Sequence, residues 1–146
     1  MGLIDDLGPG RVALDTAIFI YFIEEHPNYI QAVGPLFDAV AAGEREIVTS
    51  ALTLLEVLVV PLRTGEATLA ARYDALLTRS RGLRLVDVDR HQLRAAAQLR
   101  ALHRIRTPDA LQLAAALSER CSAFVTNDRR LPAIGALRVV QLDDAR

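Results

Sequence analysis

The chain has 146 residues, of which 51% are hydrophobic, and its 17 basic and 18 acidic residues leave a formal net charge of −1. This size fits one domain, so we expect residues 1–146 to form it, with 1–10 as a short leader. The near-neutral charge gives no sign of bulk nucleic-acid binding. Cys121 is the only cysteine, which excludes an internal disulfide, and no signal peptide or membrane-spanning run is evident. We therefore expect a cytoplasmic protein without membrane contact.

Short apolar runs alternate along the chain with longer segments of helical length. The predicted strands are 12–14, 46–49, 83–86, 123–126 and 137–142. The predicted helices are 17–25, 29–42, 51–63, 66–80, 91–104 and a sixth opened by Thr107-Pro108, with the threonine as its cap. This alternation predicts an α/β fold in which a five-stranded parallel sheet is covered by helices on both faces.

Two aspartates are expected at the carboxyl ends of strands, where ligands bind in parallel α/β sheets. Asp15 directly follows the first predicted strand, and Asp128 follows the strand at 123–126. Each also has a purely structural interpretation. Asp15 is a good N-cap for the next helix, and Asn127-Asp128 commonly forms an Asx-type turn.

Two further carboxylates lie in apolar helices. Glu56 and Thr53 are the only polar side chains between Ala51 and Pro61, so we expect Glu56 to face an interior or a cleft, unless it lies at a wet helix edge. Asp109 is in the first turn of the sixth helix, where the helix dipole alone favours an acid. The apolar residues after Asp109 indicate a nearly buried helix whose N-terminus lies against the sheet.

Convergence of these four carboxylates on one cleft would require a cation. Two carboxylates ~5 Å apart repel by ~3 kcal/mol at an effective dielectric of about 20. Oxygen-only ligands suit Mg²⁺ or Mn²⁺, and the sequence has no Cys/His cluster for zinc. Such a metal activates water and stabilises charge on a phosphoryl group, so metal-assisted phosphodiester hydrolysis is the predicted reaction.

Polar neighbours of the acids are predicted to support them. Thr16, Thr126 and Asn127 offer hydroxyl and amide groups that can orient a carboxylate or a water molecule. Arg106 and Arg129 flank the later acids and are candidates for contacts with substrate phosphates. The alternative is that these arginines only serve helix ends or the surface.

The chain resembles the PIN-domain ribonucleases, most closely the VapC-like toxins of bacterial toxin–antitoxin pairs. The segments that carry the resemblance are Leu14-Asp15-Thr16, Leu55-Glu56-Val57, Thr107-Pro108-Asp109-Ala110-Leu111-Gln112-Leu113-Ala114 and Val125-Thr126-Asn127-Asp128. The resemblance implies a PIN-like three-layer fold and a Mg²⁺- or Mn²⁺-dependent endoribonuclease. By the same resemblance, Asp15 and Asp109 are the principal metal ligands, Glu56 and Asp128 complete the acidic site directly or through water, and Thr126 positions water or a carboxylate.

The resemblance also implies partners, which are an RNA substrate, a cognate antitoxin protein and a second copy in a homodimer. Two alternatives stay open. One is a non-catalytic PIN-like scaffold that binds RNA or protein. The other is a Mg²⁺-dependent phosphatase, which needs a second aspartate two residues after Asp15, where this chain has Ala17.

Overall fold

The computed structural model describes residues 2–145, which form a parallel sheet surrounded by helices. The strands are β1 (Val12–Leu14), β2 (Ile47–Ser50), β3 (Leu83–Val86), β4 (Ala123–Thr126) and β5 (Arg138–Gln141). The helices are α1 (Leu3–Leu7), α2 (Thr16–Ile23), α3 (Ile30–Ala41), α4 (Leu52–Thr64), α5 (Ala67–Arg79), α6 (Arg90–Leu102), α7 (Thr107–Ser118) and α8 (Leu142–Ala145).

The sheet has the strand order β3-β2-β1-β4-β5, and every neighbouring pair is parallel. Val12 is aligned with Ile47 on one side and with Ala123 on the other. The chain first builds outward from β1 to β3 and then returns to the opposite side of β1. The order of the strands therefore reverses between β1 and β4, and ligands of open α/β sheets bind at such a reversal.

Both faces of the sheet are buried, which gives the three-layer architecture predicted from the sequence. Successive strand residues point to opposite faces: Val12 and Leu14 join the core cluster that also includes residues of α1 to α5 and α8. Ala13 and Phe124 join the second cluster, formed with α6 and α7. Burial on both sides explains why the central strand β1 is apolar throughout instead of alternating with polar residues. The edge strands β3 and β5 carry the exposed Arg84 and Arg138.

The structure differs from the sequence prediction near both ends of the chain. The segment expected to be a leader contains α1, whose Leu3 and Leu7 are buried in the core. The last strand ends at Gln141, and α8 follows it. Helices of four or five residues have little stability alone and form through packing, so a sequence pattern does not show them.

The start of α7 is also shifted by one residue. Arg106 occupies the N-cap position without a side-chain bond, and Thr107 is already helical. The Thr107 hydroxyl instead accepts a hydrogen bond from Arg100 Nη1 at 3.0 Å, so the expectation that Thr107 caps α7 was wrong.

Within the described part of the chain, no helix combines the length and apolar character needed to cross a bilayer.

Candidate functional site

Asp15 lies at the carboxyl end of β1, where it also caps α2. Its Oδ1 accepts from the Thr16 backbone N–H at 2.9 Å, and its Oδ2 accepts from Thr126 Oγ1 at 2.7 Å. Burial raises the pKa of Asp15, although these two hydrogen bonds oppose the rise, and the negative charges of Asp109 and Glu56 raise the pKa further. Asp15 therefore caps α2, as the structural interpretation predicted, and it also lies near the acids Asp109 and Glu56.

Glu56 reaches the same region from α4. Thr16 Oγ1 donates to Glu56 Oε1 at 2.6 Å, and Glu56 is partly buried. The apolar neighbours of Glu56 do not all face the interior, because Leu55 and Val60 are 60% and 56% exposed. The helix packs instead through Thr53 and Val57, and this face turns Glu56 toward α2.

Asp109 stands in the first turn of α7, and its side chain is only 15% exposed. Arg106, one turn earlier, places Nε 3.6 Å from Asp109 Oδ2. The helix after Asp109 is buried from Ala110 to Ala116, as the sequence predicted. This burial holds the N-terminus of α7 against the sheet, so Asp109 is brought close enough to Asp15 for their charges to interact.

Asp128 follows β4 and is held by Arg130. Arg130 donates to the carboxylate from Nε at 3.0 Å, from Nη2 at 2.9 Å and from its backbone N–H at 2.9 Å. The hydrogen bonds from the Arg130 side chain lower the pKa of Asp128. The Asx-type turn considered from the sequence is therefore present. In addition, the Asp128 backbone N–H donates to Thr126 Oγ1 at 2.9 Å, so one hydroxyl connects Asp128 to Asp15.

The remaining predicted residues have other partners. The Asn127 amide donates to the Tyr21 hydroxyl at 3.4 Å and accepts from the Asp143 backbone N–H at 3.1 Å, so it fastens the start of α8. Arg129 forms a bidentate pair with Asp144, with distances of 2.7 and 3.2 Å. Arg106 is thus the predicted phosphate-contact residue that the structure places beside a candidate metal ligand.

The pairing of Arg130 with Asp128 and the role of Gln112 were not predicted from the sequence. Arg130 contacts Asp128 directly, and nothing in the sequence distinguishes it from Arg129. Gln112 is buried within the apolar run of α7, where it is the only polar side chain between Ala110 and Leu117. The reasoning applied to Glu56, that an isolated polar residue in an apolar helix needs a partner, would have identified Gln112.

The chemistry of these groups fits a hard divalent cation. No three His, Cys, Asp or Glu side chains within residues 2–145 are arranged to hold a metal ion together. Mg²⁺ does not require such a cage, because it keeps several waters and is usually bound by one or two carboxylates together with substrate phosphates. Asp15 is partly buried near the charges of Asp109 and Glu56, and its hydrogen bonds come from neutral donors. A cation there would therefore compensate a negative charge that these donors leave in place.

The carboxyl edge of the sheet thus carries four acids, Asp15, Glu56, Asp109 and Asp128, and we call this region the acidic edge. The fold and the acidic edge define an α/β protein with a candidate metal site where the strand order reverses. The family model described as PIN domain matches residues 12–137. The chain therefore belongs to the PIN-domain family. A search of curated proteins finds no matching relative.

Solved structures share this fold at low sequence identity. VapBC2 from Rickettsia felis, bound to a DNA fragment from its promoter, has a TM-score of 0.67 and 21% identity, covering 90% of this chain and 98% of that chain. DNA-bound VapBC from Salmonella typhimurium has a TM-score of 0.62 and 21% identity, covering 92% and 99%. VapC20 from Mycobacterium tuberculosis, described as a Sarcin-Ricin loop cleaving toxin, has a TM-score of 0.63 and 15% identity, covering 77% and 86%. These likenesses confirm the three-layer fold.

Proposed function

We propose that this protein is a VapC-type, metal-dependent endoribonuclease that hydrolyses RNA phosphodiester bonds. The observation that carries the proposal is the environment of Asp15. Its carboxylate is partly buried, both of its oxygens accept from neutral donors, and the charges of Asp109 and Glu56 act on it. A divalent cation provides the missing positive charge. Membership of the PIN-domain family supports the choice of nuclease chemistry.

The metal proposed for this site is Mg²⁺ or Mn²⁺, which supplies an activated water and stabilises charge on the phosphoryl group. Asp15 and Asp109 would hold it, with Glu56 and Asp128 acting directly or through water. Thr126 keeps Asp15 and the turn at Asp128 in fixed relation, because its hydroxyl bonds to both.

Two hydrogen-bonding groups complete the proposed site. Thr16 fixes the orientation of the Glu56 carboxylate through its hydroxyl. Arg106 is the proposed contact for a substrate phosphate, because its guanidinium already lies beside Asp109. Arg129 is a weaker candidate, since it must first leave Asp144.

The proposed partners are a cognate antitoxin and a second copy of the chain in a homodimer. Similar folds occur in a toxin–antitoxin complex from Klebsiella pneumoniae, at a TM-score of 0.64, 19% identity and coverage of 86% and 94%. Exposed apolar side chains on α4, among them Leu55, Val60 and Leu62, provide surface of the kind that protein partners cover. The proposed compartment is the cytoplasm, where RNA is accessible.

The test is cleavage of a fluorescent single-stranded RNA by purified protein with Mn²⁺. We expect excess EDTA to abolish cleavage and Asp109→Asn to reduce it about 10³-fold or more, since metal catalysis contributes several kcal/mol. The matched control is Asp38→Asn, the same change at an exposed position of α3, which should retain wild-type activity. Full cleavage in EDTA or by Asp109→Asn would show that the mechanism is wrong.

One observation favours the alternative of a non-catalytic scaffold, namely that residues 2–145 contain no ready-made group of three metal-binding side chains. A metal that binds only the native state raises the melting temperature. A scaffold would show no such rise with Mn²⁺, whereas the proposed nuclease would. The phosphatase alternative gains nothing from the structure, since Ala17 is a helical residue of α2.

A further inference from the structure

Buried polar side chains are concentrated beneath the acidic edge. Within residues 2–145, those that are fully buried are Thr49, Ser50, Thr53, Gln92, Gln112 and Thr126. All except Gln92 lie at the carboxyl end of β2 or β4, at the start of α4, or on α7 one turn after Asp109. A hydrophobic core does not need buried polar side chains for its stability. Because these side chains are concentrated at the acidic edge, we infer that they have a role there.

Gln112 is the centre of this group. Its Oε1 accepts from Ser50 N–H and from Thr49 Oγ1, both at 3.2 Å. Its Nε2 donates to Thr53 Oγ1 at 2.8 Å and to Thr16 Oγ1 at 3.4 Å. One amide on α7 therefore connects β2, α4 and α2, and α4 and α2 carry Glu56 and the Thr16 hydroxyl that donates to it.

The direction of these hydrogen bonds is determined by the backbone. Ser50 N–H can only donate, so the oxygen of the Gln112 amide must face it and the NH₂ must face the two threonines. Thr16 Oγ1 then accepts from Gln112, and its single proton is directed to Glu56 Oε1.

We propose that Gln112 is a positioning residue for the nuclease site, holding Thr16 and Thr53 so that the Thr16 hydroxyl donates to Glu56. The hydrogen bonds of Gln112 go to three threonine hydroxyls and one backbone N–H, so it would act on Glu56 through the Thr16 hydroxyl. This inference rests on the proposed function. It adds a residue that the acidic motif itself does not contain.

The experiment compares Gln112→Met, which keeps the length of the side chain but cannot donate, with Gln92→Met. Gln92 is equally buried, at 4% against 3% exposure, but lies on α6. Loss of an outer partner of a site typically costs about 10- to 100-fold in activity. We expect Gln112→Met to lower kcat for RNA cleavage by about that factor with little change in KM. Gln92→Met should keep the wild-type kcat, with both melting temperatures measured.

A second comparison separates positioning from general loss of structure. If Gln112 acts through Thr16, the two changes should not be additive: in a Thr16→Val background, Gln112→Met should lower kcat less than about twofold further. If the two losses multiply instead, the positioning role is overturned. Should Gln112→Met fail to fold, Thr53→Val replaces it, and Thr53→Ser, which restores the hydroxyl, must recover the activity that Thr53→Val loses.

The outcomes also separate this inference from the proposed function. Wild-type protein that does not cleave RNA with Mn²⁺ overturns the proposed nuclease and the role of Gln112 with it. Wild-type cleavage that Gln112→Met retains in full overturns the positioning role alone. Metal-dependent cleavage that falls in Gln112→Met, persists in Gln92→Met and shows no further loss in the Thr16→Val background supports both.

Discussion

The two halves of the acidic edge are held by different chemistry. Asp15 and Glu56 accept hydrogen bonds from neutral groups, namely the Thr16 backbone N–H and the hydroxyls of Thr16 and Thr126. Asp109 and Asp128 are contacted by guanidinium groups, at 3.6 Å from Arg106 and 2.9 Å from Arg130. The first half therefore keeps its negative charge uncompensated, while the second half is neutralised within the protein.

This difference indicates how the site would respond to a cation. Neutral donors fix the geometry of Asp15 and Glu56 without cancelling their negative charge. We therefore expect these two carboxylates to bind a metal ion with little rearrangement. The arginine pairs lie toward solvent, where ion pairs contribute little stability and exchange readily. Asp109 and Asp128 can therefore release their arginines when a metal or a phosphate arrives.

The largest effect that the comparison predicts comes from Thr126. Thr126→Val keeps the shape of a fully buried side chain but removes the hydroxyl that joins Asp15 to the turn at Asp128. We expect RNA cleavage to fall about 10- to 100-fold, the usual loss for an outer partner of a metal site. Kinetic assays check this, with Thr78→Val on the exposed surface of α5 as control. Equal activities of the two variants would mean that neutral donors do not organise the first half.

An intermediate effect is expected at Arg130. Arg130→Met removes the guanidinium from Asp128, so Mn²⁺ should bind several-fold more tightly at low salt, and the gain should shrink as salt screens the charges. Unfolding free energy should change by less than about 1 kcal/mol, since the pair is near the surface. The control, Arg129→Met, removes a guanidinium that pairs with Asp144. Calorimetric titration with Mn²⁺ checks both variants, and identical affinities would contradict the proposed release.

The smallest effect is the pH dependence of stability in metal-free protein. Burial raises the pKa of Asp15 in the fold, so its favourable contribution is complete below its unfolded pKa and is lost as pH rises through the raised value. Asp15→Asn has no such loss. In EDTA, the melting temperature of Asp15→Asn, measured relative to that of the wild type, should therefore increase from acidic to neutral pH. A constant difference across that range would show that Asp15 carries no uncompensated charge.

Much of this architecture was predictable because both faces of the sheet are buried. The continuous apolar runs at Val12–Leu14 and Ala123–Thr126 mark the central strands, and acids directly after them mark the ligand-binding edge. The helices α1 and α8 were not predictable, because four or five residues show no helical period.

The contacts within the site were less predictable from the sequence than the fold, for a different reason. Sequence separates residues that lie near strand ends from those that do not, but it does not give side-chain direction. Arg129 and Arg130 are adjacent, yet one turns to Asp144 and the other to Asp128. Gln112 was not predicted, because an uncharged side chain carries no electrostatic signal in the sequence, although its apolar surroundings in α7 distinguish it.

The central claim is that Asp15 lies in a divalent metal site, and calorimetric titration of metal-free protein with Mn²⁺ at neutral pH tests it most directly. Wild-type protein should bind Mn²⁺, and Asp15→Asn should lose most of that binding, because it removes the partly buried charge that the cation compensates. Absence of binding by wild-type protein, or equal binding by Asp15→Asn, would contradict the claim.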